Sequence, residues 1–390
     1  MEDIVKKSIE NFRNLSRREK KKHFCVWIAI FLFLLFLYFF NQGIEKKELI
    51  EENGNQFERA EVVEIVSENR NNDGSQQGTQ TIRVRLKSGE FKGEVVEATN
   101  IDSYLYGADC KVGTSVIVQV SEYEGQISAS VYNYNRTMIL FVMIGVFLLT
   151  LVLIGRRKGV TSALGLIFTF ICILYLYLPM MYLGVSPFLS AVVVTVLTTL
   201  VTMYFIGGFS KKTLCAIIGT VGGVVIAGTS ASLFGKLGYI TGYNVGDIET
   251  LLYIGQNSKL QIGGLLFSGI LIASLGAVMD VAMSISTTIE ELQYHNPHLT
   301  RRELFKSGIK IGGDMMGTMS NTLILAFTGG SLSTLMIFYA YDMPFLQMMN
   351  SYEMGIEIMQ GIAGSLGVIL TVPLVSAVAA MYMGRKGCQV

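Results

Sequence analysis

The sequence predicts an α-helical polytopic membrane protein of about eight transmembrane helices, with a small all-β, barrel or OB-like domain inserted outside the membrane. Three observations predict it. Hydrophobic residues make up 51% of the 390 residues and charged residues 16%, against about 25% charged in soluble domains, and mean hydropathy is +0.47. Long apolar runs recur along the chain. One polar segment, 41–137, alternates in the manner of strands. Net charge is +1, but residues 1–23 are basic and 41–137 acidic, an uneven balance that argues against nucleic-acid binding.

The first apolar run is 24–40, after the basic cytoplasmic stretch 1–23. A helix spans the ~30 Å hydrocarbon core with ~20 residues. No small-x-small cleavage pattern follows the run, so it reads as an uncleaved signal anchor. Seven further runs, near 138–154, 160–182, 188–208, 213–234, 261–283, 319–340 and 356–383, make a membrane domain over 138–384 with a cytoplasmic stretch at 285–313 and a tail at 385–390. From a cytoplasmic N-terminus, alternation places these basic groups inside: Arg156, Arg157, Lys158; Lys211, Lys212; Arg301, Arg302, Lys306, Lys310; Arg385, Lys386; the short outer loops keep only Lys236 and Lys259. That obeys the positive-inside rule and puts both termini in the cytoplasm.

In 41–137, strands are expected at 58–66, 82–87, 91–98, 114–121 and 126–133, with turns at 69–78, 88–89, 113 and 124–125. Tyr104, Tyr106, Tyr123 and Tyr132 belong either to the barrel's core and rim or to a binding surface. The five cysteines have no CxxC or Cys/His metal spacing; they read as packing residues, with no disulfide framework and no cofactor or metal expected.

Polar residues inside spans carry the functional argument, since a charge at the bilayer centre costs about 2.5–3.5 kcal/mol on insertion scales. Asp280, Ser284, Thr287 and Glu291 share a helix face in the sixth span, and Asp314, Thr318 and Asn321 one in the seventh. The two stripes read as an ion or proton path, or their aspartates as helix caps at the inner interface, with Asp314 opening the seventh span. Glu353, Glu357 and Gln360 form a third stripe, either solvated at the interface or with Glu357 closing the path from outside. Residues 300–311 read as an amphipathic helix on the inner leaflet. The span glycines read as close-packing positions, with Gly329-Gly330 alternatively interrupting a discontinuous helix. Three short word matches, such as 205–208 with 327–330, suggest an inverted 3+3 repeat.

Gly276–Ser286 (GAVMDVAMSIS) and Gly313–Ser331 (GDMMGTMSNTLILAFTGGS) resemble the two most distinctive stretches of the YibE/F family of bacterial multi-span membrane proteins. The resemblance covers roughly 24–385. It implies a bacterial plasma-membrane protein and no particular activity. The family pattern has Arg before the second Asp, where this chain has Gly313, and commonly Tyr at the position of Phe327.

The first functional expectation is a transporter or permease of a small solute or ion, proton- or cation-linked. The alternative is a non-transporting membrane scaffold or envelope factor whose β domain binds a partner. An enzyme is not expected: HExxH, GxSxG and GxxxxGK[ST] are absent, and the context of the two aspartates is unlike a protease dyad. Expected partners are the lipid bilayer, a small ion or solute, and a second copy of the chain or an envelope partner.

Overall fold

The computed structural model describes residues 17–46, 56–70, 78–103, 107–123 and 126–384. Tyr104, Tyr106, the 124–125 turn, Arg385, Lys386 and Cys388 lie outside them, as do most of the 69–78 turn and residues 1–16 of the basic N-terminus. The chain forms two compact units, Glu48–Thr150 and Met1–Lys47 with Leu151–Val390.

The first unit holds a closed five-stranded barrel. Its strands are β1 (Gln56–Arg70), β2 (Gly78–Leu86), β3 (Val95–Asp102), β4 (Ser115–Tyr123) and β5 (Gln126–Tyr134), in the order β1-β2-β3-β5-β4. β3 and β5 pair parallel through Ala98 and Ala129; the other pairings are antiparallel. Alternation sets the interior: Ile82, Val84 and Leu86 of β2 and Val116, Val118 and Val120 of β4 point in and are buried. Two register shifts in β1, at Val62/Glu64 and Ile65/Ser67, bend it around the barrel. β3 starts later than expected because 90–93 is a turn. Gly93 adopts φ +99° there, and its N–H donates to Leu86 O at 2.8 Å.

The core is aliphatic, so Tyr132 is not part of it. Tyr132 lies on the outer surface, edge-on to the exposed Phe57 at 5.2 Å. Lys87 pairs with Glu61 across β1 and β2, and its hydrogen bond and charge hold the Glu61 carboxyl below the usual range. A carboxyl depressed in the folded state stabilises above its unfolded pKa, and that increment is lost as pH falls through the folded one. Acidification is therefore expected to lower the melting midpoint of the wild type more than that of Glu61→Gln, read by melting both full chains at neutral and acid pH.

The remaining elements are helical. They are α1 (Arg17–Gln42), α2 (Thr137–Cys172), a π turn (Ile173–Tyr177), α3 (Leu178–Tyr182), α4 (Pro187–Gly207), α5 (Lys211–Leu237), α6 (Ile248–Asn257), a 3₁₀ turn (Ile262–Gly264), α7 (Leu265–His295), α8 (Arg301–Gly330), α9 (Leu332–Ala340), α10 (Phe345–Met349) and α11 (Tyr352–Met383). Six helical stretches among the described residues are long and apolar enough to cross a membrane, and the α8–α9 pair, bent by 62°, makes a seventh. The stretch Thr137–Tyr182 is 46 residues long and breaks at Arg156, which has φ 48° and ψ −124°. Divided there, it has the length of two spans of ~20 residues each, so the expected eight is an approximate count.

Glycine sets how closely the second unit packs. α5 and α11 run antiparallel, with Gly219, Gly223 and Ala227 of α5 facing Val375, Thr371 and Gly367 of α11 in turn. A Cβ on Gly367 would sit 2.7 Å from Ala227 Cβ and 2.9 Å from Gly223 O. The backbones meet there, as small residues allow in membranes. Pro179 has a different effect. It has no N–H for Tyr175 O, four residues back, and the side chain of Asn41 on α1 donates to that oxygen at 2.7 Å.

Two expectations are corrected. Residues 300–311 are not a separate surface helix. They are the first turns of the continuous α8, with Leu304 fully buried in the bundle. Nor does Asp314 open or cap a helix. The cap is Thr300, whose hydroxyl accepts from Glu303 N while Glu303 returns a bond to Thr300 N, and Asp314 lies well inside α8. Asp314 follows two glycines, Gly312 and Gly313, but no helix starts there; Gly308 and Gly312 lie within α8. They serve packing instead: Gly308 faces Ser376 and Ile289, and Gly312 faces Val372 and Ile285.

Candidate functional site

Helix phase places the six singled-out residues. On α7 the buried face carries Val278, Ala282, Ile285 and Ile289. Asp280 lies on the opposite, exposed face with Gly269, Ala273 and Gly276. Ser284 is half-buried at its edge. On α8, Asp314, Thr318 and Asn321 are exposed, and Thr318 Oγ1 bonds only its own helix, at Met315 O, 3.0 Å. α7 and α8 pack antiparallel, Ile289 against Gly308 and Ile285 against Gly312. Continuing that register brings Asp280 level with Gly317, so the two aspartates stand at neighbouring heights, both turned away from the core.

Glu357 is elsewhere. α8 also packs on α11, Gly312 against Val372 and Leu323 against Gly364, which sets Glu357 level with Thr328. From Asp314 that is fourteen residues along α8, about 21 Å at 1.5 Å per residue. The six residues are thus divided between an outward face and a separate cavity.

That cavity, about 590 Å³, opens beside the bend between α8 and α9. Thr328, Gly330, Ser331 and Thr334 line it from the broken helix, Glu353, Glu357 and Gln360 from α11, and Asn244 from the loop after α5. Ile324, Leu335, Phe338 and Met354 make the apolar part of the wall. A Cβ on Gly329 or Gly330 would meet nothing within 4 Å, so these glycines mark the break and not a close contact. Glu357 Oε2 is buried and has no hydrogen-bond partner. No lysine or arginine lines the cavity. A larger crevice of about 710 Å³ between α1 and α4–α5 has almost wholly apolar walls, among them Phe33, Phe168 and Leu197. Its surface suits an acyl chain better than a polar solute.

The α4 hydroxyls were not singled out in the sequence. Ser190, Thr195, Thr199 and Thr202 have buried hydroxyls without a partner, and so have Thr220 of α5 and Ser286 of α7. Along α4 they extend about 18 Å. A buried hydroxyl left unpaired costs about 1–3 kcal/mol, so this polar seam in the core is held at a cost. The word TVLTTLVT, with its threonines three and four apart, is the signal that marks it. A buried pair elsewhere in the bundle is satisfied: Ser268 Oγ donates to Leu265 O, which leaves Tyr177 Oη to donate to Ser268 Oγ at 2.5 Å.

Residues 143–385 match the YibE/F-like protein family, and residues 55–134 match the YibE/F family N-terminal domain. The chain belongs to the YibE/F family. The first match covers more than half of the chain and contains the cavity, both aspartates and the hydroxyl seam; the second is coextensive with the barrel. No curated protein and no solved structure matches the chain. Among the described residues, no group of three or more His, Cys, Asp or Glu side chains is arranged to hold a metal ion.

Proposed function

We propose that this YibE/F protein is a transporter or permease of a small solute or ion, and not an enzyme. The observation that carries the reading is the cavity at the α8–α9 bend, where an unpartnered acidic oxygen meets a broken span. Discontinuous helices free backbone and side-chain polar groups near a binding point inside a membrane protein. An acid kept there at a cost is a functional group by default. The α4 hydroxyl seam supports the same reading, because it supplies polar positions through the core. The basic residues of the short loops support a plasma-membrane location with both termini in the cytoplasm.

The test is a current. Purified full-length protein in proteoliposomes on a solid-supported membrane is exposed to jumps in pH, Na⁺, K⁺ and small ammonium ions. A transient above that of protein-free liposomes is expected, and Glu357→Gln is expected to abolish it while eluting as a single assembled species. Silence with every probe would overturn the reading.

The exposed Phe57–Tyr132 pair on the barrel favours a second reading, an envelope factor whose β domain binds a partner. An unchanged cell phenotype after deletion of residues 44–136 would remove it.

A further inference from the structure

We infer that the cavity beside the α8–α9 bend binds a small organic monocation, with Glu357 as its counter-charge and Phe338 against its apolar body. The inference deepens the transport reading by naming the substrate class at the same site.

Charge gives the sign. Two carboxylates reach the cavity from one face of α11, Glu353 at the exposed rim and Glu357 one turn deeper, and no basic side chain lines it. Like charges four apart on a helix repel, and a bound cation relieves that. The neutral lining groups, Thr328, Ser331, Thr334, Asn244 and Gln360, offer oxygen acceptors for N–H donors.

Number gives the valence. Of the two carboxylates that line the cavity, Glu357 alone has a buried oxygen left without a partner. Glu353 is exposed and already solvated, so one positive charge satisfies the interior.

Size and walls separate an organic cation from a bare ion. A bare hard cation is wrapped by about six oxygens at 2.0–2.6 Å. A cavity of about 590 Å³ is instead of the volume that takes small molecules, generally 300–1,000 Å³. Its wall is largely Ile324, Leu335, Phe338, Met354 and similar residues. These contacts suit carbon, and an aromatic ring also attracts an ammonium group.

The test measures binding and not flux. Full-length protein in nanodiscs is melted with a thiol-reactive dye, which reports unfolding as the buried Cys172 and Cys215 become accessible. Phenethylammonium and butylammonium are titrated against 2-phenylethanol, NaCl and KCl. The two ammonium ions are expected to raise the midpoint saturably, phenethylammonium at lower concentration; the neutral alcohol and the salts are not. Glu357→Gln is expected to weaken the apparent affinity about tenfold or more, the loss of roughly 1.4 kcal/mol, and Glu353→Gln much less. Should Glu357→Gln fail to assemble, Thr334→Phe, which fills the cavity from the α9 side, is expected to abolish the shift. Equal shifts in wild type and these variants, no shift with either ammonium ion, or an equal response to KCl would each overturn the inference. Saturable, Glu357-dependent binding without any current leaves the site standing and removes transport. A current indifferent to Glu357 does the reverse.

Discussion

Asn100→Leu is expected to unfold the barrel while leaving the helical bundle assembled. Asn100 is fully buried, and it holds an unusual amount of polar structure. Its Nδ2 donates to Gln80 Oε1 at 2.8 Å and to Ala108 O at 2.6 Å, and its Oδ1 accepts from Ala108 N at 3.3 Å. Gln80, 1% exposed, passes the network on: its Oε1 accepts from Cys110 N and its Nε2 donates to Cys110 O. Together the two amides tie the 107–110 segment to β2 and β3. That segment enters at Gly107, φ +77°, where a Cβ would lie 2.8 Å from Asn100 Oδ1. Leucine in place of Asn100 takes the partners from Ala108 N–H and C=O and removes one donor to Gln80. At about 1–3 kcal/mol for each of the two buried backbone groups left unpaired, the loss is about 2–6 kcal/mol, a large part of the 5–15 kcal/mol of an ordinary domain. Limited proteolysis of the full chain in proteoliposomes reads it, as rapid cleavage within 56–134 and unchanged resistance of α4–α11. The double variant Asn100→Leu with Gln80→Leu is expected to cost less than the sum of the single ones, because the two side chains share partners. Strict additivity would mean that the amides act separately.

Gly223→Val is expected to prevent assembly of the bundle, and Gly276→Ala to be harmless. A Cβ at Gly223 would run into Thr371 Oγ1 and lie 2.6 Å from Val278 Cγ1. Neither neighbour can step aside. Thr371 is fully buried with its hydroxyl bonded to Gly367 O at 2.7 Å, and Val278 is fully buried in the core of α7. Overpacking a close-packed core costs about 1–3 kcal/mol and more where backbones must separate; here the three central helices α5, α7 and α11 would all move. Gly276 is also in a helix of the bundle, but a Cβ there meets nothing within 4 Å. Its replacement is expected to gain up to about 1 kcal/mol of helix propensity. Size-exclusion profiles and dye-monitored melting of the two variants give the comparison. Thr371→Ala is expected to restore part of the assembly lost in Gly223→Ala; no rescue would move the clash to Val278.

Much of this protein is legible before folding. Strict alternation in Ile82–Leu86 marks a strand because side chains in a strand point alternately to opposite faces, and the barrel is where that pattern lies. The apolar runs mark spans because hydrocarbon admits no unpaired backbone. The motifs around Asp280 and Asp314 mark the family, which the matches over 143–385 and 55–134 bear out.

The candidate site was legible only in part, and the reason is helix phase against neighbours. Asp280, Asp314 and Glu357 are equally conspicuous as carboxylates in apolar surroundings. Which way each one faces depends on where α7, α8 and α11 touch, and that is decided by glycines whose contacts lie far along the chain. Gly312 against Val372 and Gly364 against Leu323 turn Asp314 outward and set Glu357 beside Thr328. The sequence by itself determined the membrane class, the inserted barrel, the family and the acidic residues worth asking about. Only the tertiary structure decided that α8 runs unbroken from Arg301 to Gly330, that it bends there, and that Glu357 lines a cavity while Asp280 and Asp314 do not. Periodicity and hydropathy are local properties of a chain, while burial and the direction of a side chain are set by contacts between residues distant in sequence.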